Sequence, residues 1–240
     1  MQNWKVLSKN ALTHDVFELK LERPAGSLPF RAGQYMSIVI PGAGPGGRNL
    51  RRAYSIASPP ESAEIELCVK LVDSGPGTHY LNSLKVGDRF QAQFPFGDFC
   101  LAHDQSHPAL FIGTGTGIAP LRAMVLAKEW QPKAPMGFLL GVRTEEDILY
   151  PELFPEMKIS GRAAAFSEGH QHVKICLSRP KGEWRGFRGR VTDYLRALDW
   201  DFARSNYYLC GSGAMLAEVK DFLKNTKGVA KSHIHAEKYF

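Results

Sequence analysis

Residues 109–130, ALFIGTGTGIAPLRAMVLAKEW, run from a continuous apolar stretch through three glycines into a helical pattern. A short apolar run bounded by glycines reads as a strand buried on both faces. Such a strand leading through a tight turn into a helix is the building unit of a parallel sheet. Glycines at Gly113, Gly115 and Gly117 let backbone N–H groups approach an anion closely, and the N-terminus of the following helix favours negative charge. The loop departs from the G-x-G-x-x-G/A dinucleotide pattern. Counted from Gly113 the last position is Ile118, and from Gly115 it is Pro120. Two readings stay open on these residues alone, a nucleotide-binding turn and a turn whose glycines serve only tight packing.

The alternation continues beyond this point. Strands are expected at 137–142, 173–178 and 207–211, and helices near 145–157, 192–198 and 214–225. The first hundred residues have a different rhythm. DVFELKLER (15–23) alternates apolar and polar residues with period two, and 34–40, 52–58, 64–72 and 89–94 follow at spacings typical of a small antiparallel barrel. THYLNSL (78–84) is the one short helix expected there. The chain therefore reads as two domains, an antiparallel β-barrel over 1–104 and a doubly wound parallel α/β domain over 105–240, with the boundary near 103–107.

Composition removes several classes of function. No apolar run approaches the roughly 20 residues of a membrane helix, and the opening MQNWKVLSKN lacks a signal-peptide core, so a cytoplasmic protein without a membrane association is expected. Cys68, Cys100, Cys176 and Cys210 stand singly, which suggests neither a zinc site, a disulfide framework nor a bound iron–sulfur cluster. Redox chemistry, if present, belongs to a bound cofactor. The net charge of +6 draws anions. Its local clusters, GGRNLRR (46–52) and RPKGEWRGFRGR (179–190), lie beside glycines, as phosphate-contacting loops often do. A nucleic-acid binder needs a basic stripe with interleaved stacking aromatics, and WRGFRGR (184–190) is the nearest candidate. HQH (170–172) reads as an exposed loop and not as a metal site. No nucleic-acid partner is expected.

RRAYSIAS (51–58) places a cation, an aromatic and a hydroxyl, Arg52, Tyr54 and Ser55, along one expected strand. Together with GTGTGIAP (113–120) and YLCGSGAM (208–215), in this order along nearly the whole chain, it resembles the ferredoxin–NADP reductase superfamily. The ending AEKYF is similar to that of the bacterial ferredoxin (flavodoxin)–NADP reductases. The resemblance implies FAD in the barrel: Arg52 on its pyrophosphate, Tyr54 on its ring system, and Ser55, followed by Ile56, near the reactive flavin nitrogen. It also implies that Cys68, Val69 and Lys70 contact the ribityl and phosphate region, and that Gly77 and Thr78 open a helix on the pyrophosphate. In the second domain it implies NADP(H) on Gly113, Thr114, Gly115, Thr116 and Gly117, with Cys210 and Gly211 lining the nicotinamide pocket. Arg143, Ser178, Arg179 and Arg190 match positions for the 2′-phosphate of NADPH. Glu145 and Glu146 oppose that reading, since either could accept the 2′-hydroxyl of NADH. Tyr239, followed by Phe240, is expected to stack on the flavin, with Glu237 near Cys210. Ser55, Cys210, Glu237 and Tyr239 are thus the candidate catalytic residues. The implied activity is hydride transfer from NADPH to FAD and one-electron transfer to an acidic ferredoxin or flavodoxin by a monomer. Alternatives are the reductase component of an oxygenase, a free-flavin reductase, and a non-enzymatic flavin or nucleotide sensor.

Overall fold

The computed structural model describes residues 1–154 and 172–239. They divide into two compact units, Met1–Leu101 with Arg122–Lys128, and Ala102–Leu121 with Glu129–Phe240.

The first unit holds β1 (Gln2–Ala11), β2 (Val16–Glu22), β3 (Tyr35–Ile40), β4 (Leu50–Ser55), β5 (Glu64–Lys70), α1 (Pro76–Ser83) and β6 (Arg89–Phe96). Every pairing is antiparallel, in the order β4-β3-β6-β1-β2-β5. The two outer strands meet through a bridge between Ile56 and Leu67, and Ala57 N donates to Glu66 O at 2.8 Å, so the sheet curls into a barrel. Period-two alternation sends Ile65, Leu67 and Val69 of β5 into a core with Trp4, Leu19, Leu21, Ile38 and Phe90. Pro76 opens α1 where a missing N–H costs nothing. Lys9 closes its other end, donating from Nζ to Asn82 O (2.6 Å) and Leu84 O (3.0 Å). The sequence pattern missed β1, whose alternation is broken by a register shift between Val6 and Ser8.

The second unit holds β7 (Ala109–Thr114), the first turn of α2 (Ile118–Leu126), whose residues from Arg122 on belong to the first unit, β8 (Met136–Val142), β9 (Val173–Leu177), β10 (Phe187–Arg188), α3 (Val191–Ala197), β11 (Asn206–Ser212), α4 (Gly213–Asp221) and β12 (Ile234–Tyr239). All pairings are parallel, in the order β10-β9-β8-β7-β11-β12. On one face Leu110, Ile112, Leu139 and Leu209 pack against α3 and α4 through Val191, Leu195, Leu216 and Val219. On the other, Phe111 stacks on Phe138 and Tyr208, and Phe138 meets Phe154 edge-on. The expected helix near 145–157 is not formed over its described part. Glu145–Asp147 and Pro151–Leu153 make two separate 3₁₀ turns, and Tyr150 between them is left-handed at φ 49°. Pro151 disfavours a helical predecessor, which stops any continuous helix there. Residues 155–157 of that expectation, His170 and Gln171 of HQH, and Phe240 lie outside the described residues. Among the described residues, no helix is long and apolar enough to cross a membrane.

Candidate active site

In an open parallel sheet the strand order reverses at one point, and ligands bind beyond the carboxyl ends of the strands there. Here β7 has β8 on one side and β11 on the other, so the reversal falls at Gly113 and its register partner Cys210. Gly115–Gly117 form a 3₁₀ turn that runs directly into α2. The glycines do two different things. A Cβ on Gly117 would lie 2.3 Å from Cys210 O, so that glycine lets the turn touch β11. Gly115 has φ +53°, and a Cβ there would meet nothing within 4 Å, so the outer surface of the turn is open. Thr114 ties the two loops together, its Oγ1 accepting from Ser212 N at 3.1 Å, while Thr116 is buried. Gly211 lies so close to Thr114 that a Cβ would meet Oγ1 at 2.2 Å.

The last residues of β12 reach the same end of the sheet. Parallel register sets Glu237 opposite Cys210, Lys238 opposite Gly211 and Tyr239 opposite Ser212. Cys210 is fully buried. Burial first, and then the Glu237 carboxylate, push its thiol far up, against a side-chain hydrogen bond with Tyr239. Cys210 therefore keeps its proton and is no thiolate nucleophile.

The arginines sit on the neighbouring strand ends. Ser178 N donates to Val142 O (3.1 Å), Arg179 N to Arg143 O (2.7 Å) and Gly189 N to Leu177 O (2.8 Å), which brings Arg143, Ser178, Arg179 and Arg190 to one edge. All four are exposed. Among the described residues, neither the Arg143 nor the Arg179 guanidinium has a hydrogen-bond or ion-pair partner. The two opposing acids are engaged. Glu145 accepts from Lys181 N at 3.0 Å and Gly182 N at 3.2 Å, and Glu146 pairs with Lys181 Nζ at 2.8 Å. Those backbone donors, Lys181 first, hold the Glu145 carboxyl below its usual range.

In the first unit, Arg52 is exposed on β4, Tyr54 is half-buried, and Ser55 is buried opposite Tyr35. Burial pushes the Tyr54 phenol up to about 12, with Arg52 opposing, so it stays neutral at physiological pH. The first turn of α1 lies against this pair. A Cβ on Gly77 would be 2.5 Å from the Tyr54 hydroxyl and 3.0 Å from Arg52 Cγ. Ile56 and Val69 are core residues, so only their backbones can face a ligand, and Cys68 is buried. Lys70 is engaged with Asp15 at 2.7 Å. The Thr78 hydroxyl donates to Gly75 O at 3.0 Å and accepts from Val72 N at 3.4 Å, which shapes the turn.

Two family models match successive parts of the chain. Residues 3–100 match the oxidoreductase FAD-binding domain and residues 111–221 the oxidoreductase NAD-binding domain. A ferredoxin–NADP reductase B of Sorangium cellulosum is 33% identical over 98% of this chain and 96% of its own length. The chain belongs to the ferredoxin–NADP reductase superfamily. Within that superfamily it is also 32% identical to the reductase component of a phenol 2-monooxygenase of Pseudomonas sp. strain CF600, covering 82% of this chain but only 54% of that one. A ferredoxin–NADP⁺ reductase of Neisseria gonorrhoeae, solved with FAD and NADP bound, has the same fold, with a TM-score of 0.79, 21% identity and coverage of 100% and 98%.

As a member of this superfamily the protein is an oxidoreductase that binds FAD and NAD(P). The barrel residues fit FAD on their own geometry. A guanidinium, a phenol ring and a helix first turn converge where Gly77 leaves no room for a side chain, and first-turn N–H groups lack intrahelical acceptors. Gly77→Ala is expected to push Tyr54 aside and weaken FAD binding by about tenfold, ~1.4 kcal/mol. Flavin fluorescence titration of deflavinated protein measures it, with near-wild-type circular dichroism expected.

Proposed function

We propose that this protein is an NADPH-dependent reductase that delivers single electrons to a ferredoxin or flavodoxin. The observation that carries the NADPH part is that Arg143 and Arg179 at the carboxyl edge have no partner among the described residues, beside two acids already bound to the protein's own Lys181 and Gly182. A dianionic 2′-phosphate suits two guanidinium groups, whereas engaged carboxylates are poor acceptors for a ribose hydroxyl.

Bound FAD supplies the chemistry that joins a hydride donor to a one-electron acceptor. The remaining work belongs to this chain. The N–H groups at the Gly115–Gly117 turn and the start of α2 take the pyrophosphate. Cys210, holding its proton beside Glu237, and Tyr239 shape the place where the nicotinamide settles, and Ser55 offers a hydroxyl to the flavin. Orientation is the larger contribution, because hydride transfer needs alignment more than acid–base help.

Arg179→Ala is expected to raise KM for NADPH about tenfold and KM for NADH less than twofold, the loss of a charge-assisted contact made only to the 2′-phosphate. Steady-state reduction of ferricyanide with both nucleotides tests it, and equal effects would reject the assignment. The net charge of +6 favours an acidic partner, so ferredoxin reduction should slow steeply with ionic strength while ferricyanide kinetics serve as reference. Likeness to the phenol 2-monooxygenase reductase component favours a second reading, delivery to an oxygenase system. Negligible turnover with ferredoxin and flavodoxin, with ferricyanide reduction intact, would select it.

A further inference from the structure

The segment from Ser178 to Arg188 carries Arg179 and returns as β10, and its exposed residues and glycines do not by themselves fix a path. Its start is tied to the end of β8 through Ser178 and its return to β9 through β10, and further contacts from outside hold the stretch between them. Arg179 N bonds Arg143 O at 2.7 Å. Two residues on, Lys181 N and Gly182 N converge on the two oxygens of Glu145, at 3.0 and 3.2 Å. Arg188 completes the turn by donating from Nη2 to Gly182 O at 3.0 Å. Successive backbone N–H groups pointing at one anion form a nest. In this protein the nest is filled by a carboxylate of the chain.

Resting on the NADPH reading above, we propose that Glu145 is a positioning residue for the 2′-phosphate site: its carboxylate holds Lys181 and Gly182 and thereby keeps Arg179 beside Arg143. The base on which Glu145 stands is itself fixed, since Thr144 N and Thr144 Oγ1 both donate to Asp147 Oδ2 at 2.9 Å. Glu146 does a lesser job. Its pair with Lys181 is open to solvent, with side-chain exposures of 67% and 63%, and such pairs contribute little.

The sign of the effect separates positioning from simple electrostatics. Removing a negative charge close to a phosphate site should strengthen phosphate binding if charge alone decides. If Glu145 orders the loop, its removal leaves two N–H groups to water, and the nucleotide must then order Arg179 as it binds.

Isothermal titration of the FAD-loaded protein with 2′,5′-ADP and with 5′-AMP reads this without turnover. Glu145→Ala is expected to weaken 2′,5′-ADP binding roughly five- to tenfold, the size of a lost charge-assisted anchor, with 5′-AMP changed less than twofold. Glu145→Gln, which keeps one acceptor oxygen, should fall between wild type and Glu145→Ala, and Glu146→Gln should match wild type. Unchanged or tighter 2′,5′-ADP binding by Glu145→Ala, in protein that binds 5′-AMP normally, overturns the proposal. Should the unmodified protein bind 2′,5′-ADP no better than 5′-AMP, the NADPH reading itself fails, and this one with it.

Discussion

Arg122→Met is expected to lower the melting temperature of the barrel unit by roughly 10 °C, a cost of about 3 kcal/mol. Arg122 Nη1 lies 2.6 Å from Glu66 Oε2 and 2.7 Å from Ala57 O, and Lys20 Nζ lies 2.9 Å from Glu66 Oε1. The Glu66 and Arg122 side chains are only 12% and 14% exposed. A methionine fills much of the same volume, so the loss is electrostatic. It leaves a buried carboxylate with one cation in place of two, and the Ala57 carbonyl without this donor. Burial alone would raise the Glu66 pKa, yet Arg122 and then Lys20 overcome it, and the carboxyl lies below its ordinary value of 4.5. A carboxyl depressed in the folded state stabilises above the unfolded value, and that contribution disappears as pH falls through the folded value. The gap between wild type and Arg122→Met should therefore be full at pH 7 and shrink below about pH 4.5. Differential scanning calorimetry across that range checks it. A gap constant down to pH 4, or none at pH 7, would show that the pair contributes by packing alone. Glu66→Leu combined with Arg122→Met should recover much of the loss, because no buried charge is then stranded.

Arg122 also marks the limit of what the sequence made legible. The barrel strands are readable in 15–23 and 64–72 because Phe17, Leu19 and Leu21, and Ile65, Leu67 and Val69, all point to one core, and alternation is the direct consequence. The α/β half is readable because strands buried on both faces become apolar runs, as in ALFIG. What alternation does not encode is a partner. Glu66 and Arg122 are 56 residues apart, and nothing local marks either as half of a buried pair. The same holds for Glu145, whose carboxylate is taken by backbone N–H groups of a loop 36 residues away, a partnership that nothing local encodes. Residues 234–239 raised another difficulty. As an edge strand with a single neighbour, β12 is only partly buried along its length, so its pattern looks like a tail although its register fixes Glu237 against Cys210. The glycine turn was legible as a turn, but not the division of labour inside it. GTGTG gives three equal letters, and only the fold separates Gly117, packed on β11, from Gly115, which faces open space.

That division sets the second large effect. Gly117→Ala is expected to lower kcat/KM for NADPH about a hundredfold, about 2.7 kcal/mol of lost transition-state stabilisation, while FAD content is unchanged. The added methyl would lie 2.3 Å from Cys210 O, 2.5 Å from Cys210 C and 2.8 Å from Gly211 Cα. All three are backbone atoms of β11 or its exit, so no side chain can swing away, and the turn must lift off the strand. Lifting it strains the Thr114–Ser212 bond and moves the start of α2, the proposed pyrophosphate seat, away from Cys210 and its partner Glu237. Gly115→Ala is the informative contrast. Its methyl meets nothing, so the cost is only that of a left-handed alanine, about 1–2 kcal/mol, with a smaller loss in NADPH turnover. Stopped-flow reduction of the protein-bound flavin by NADPH separates the two variants. Equal rates would mean that the turn tolerates displacement, and that contact between the glycine loop and β11 is not what organises the nucleotide site.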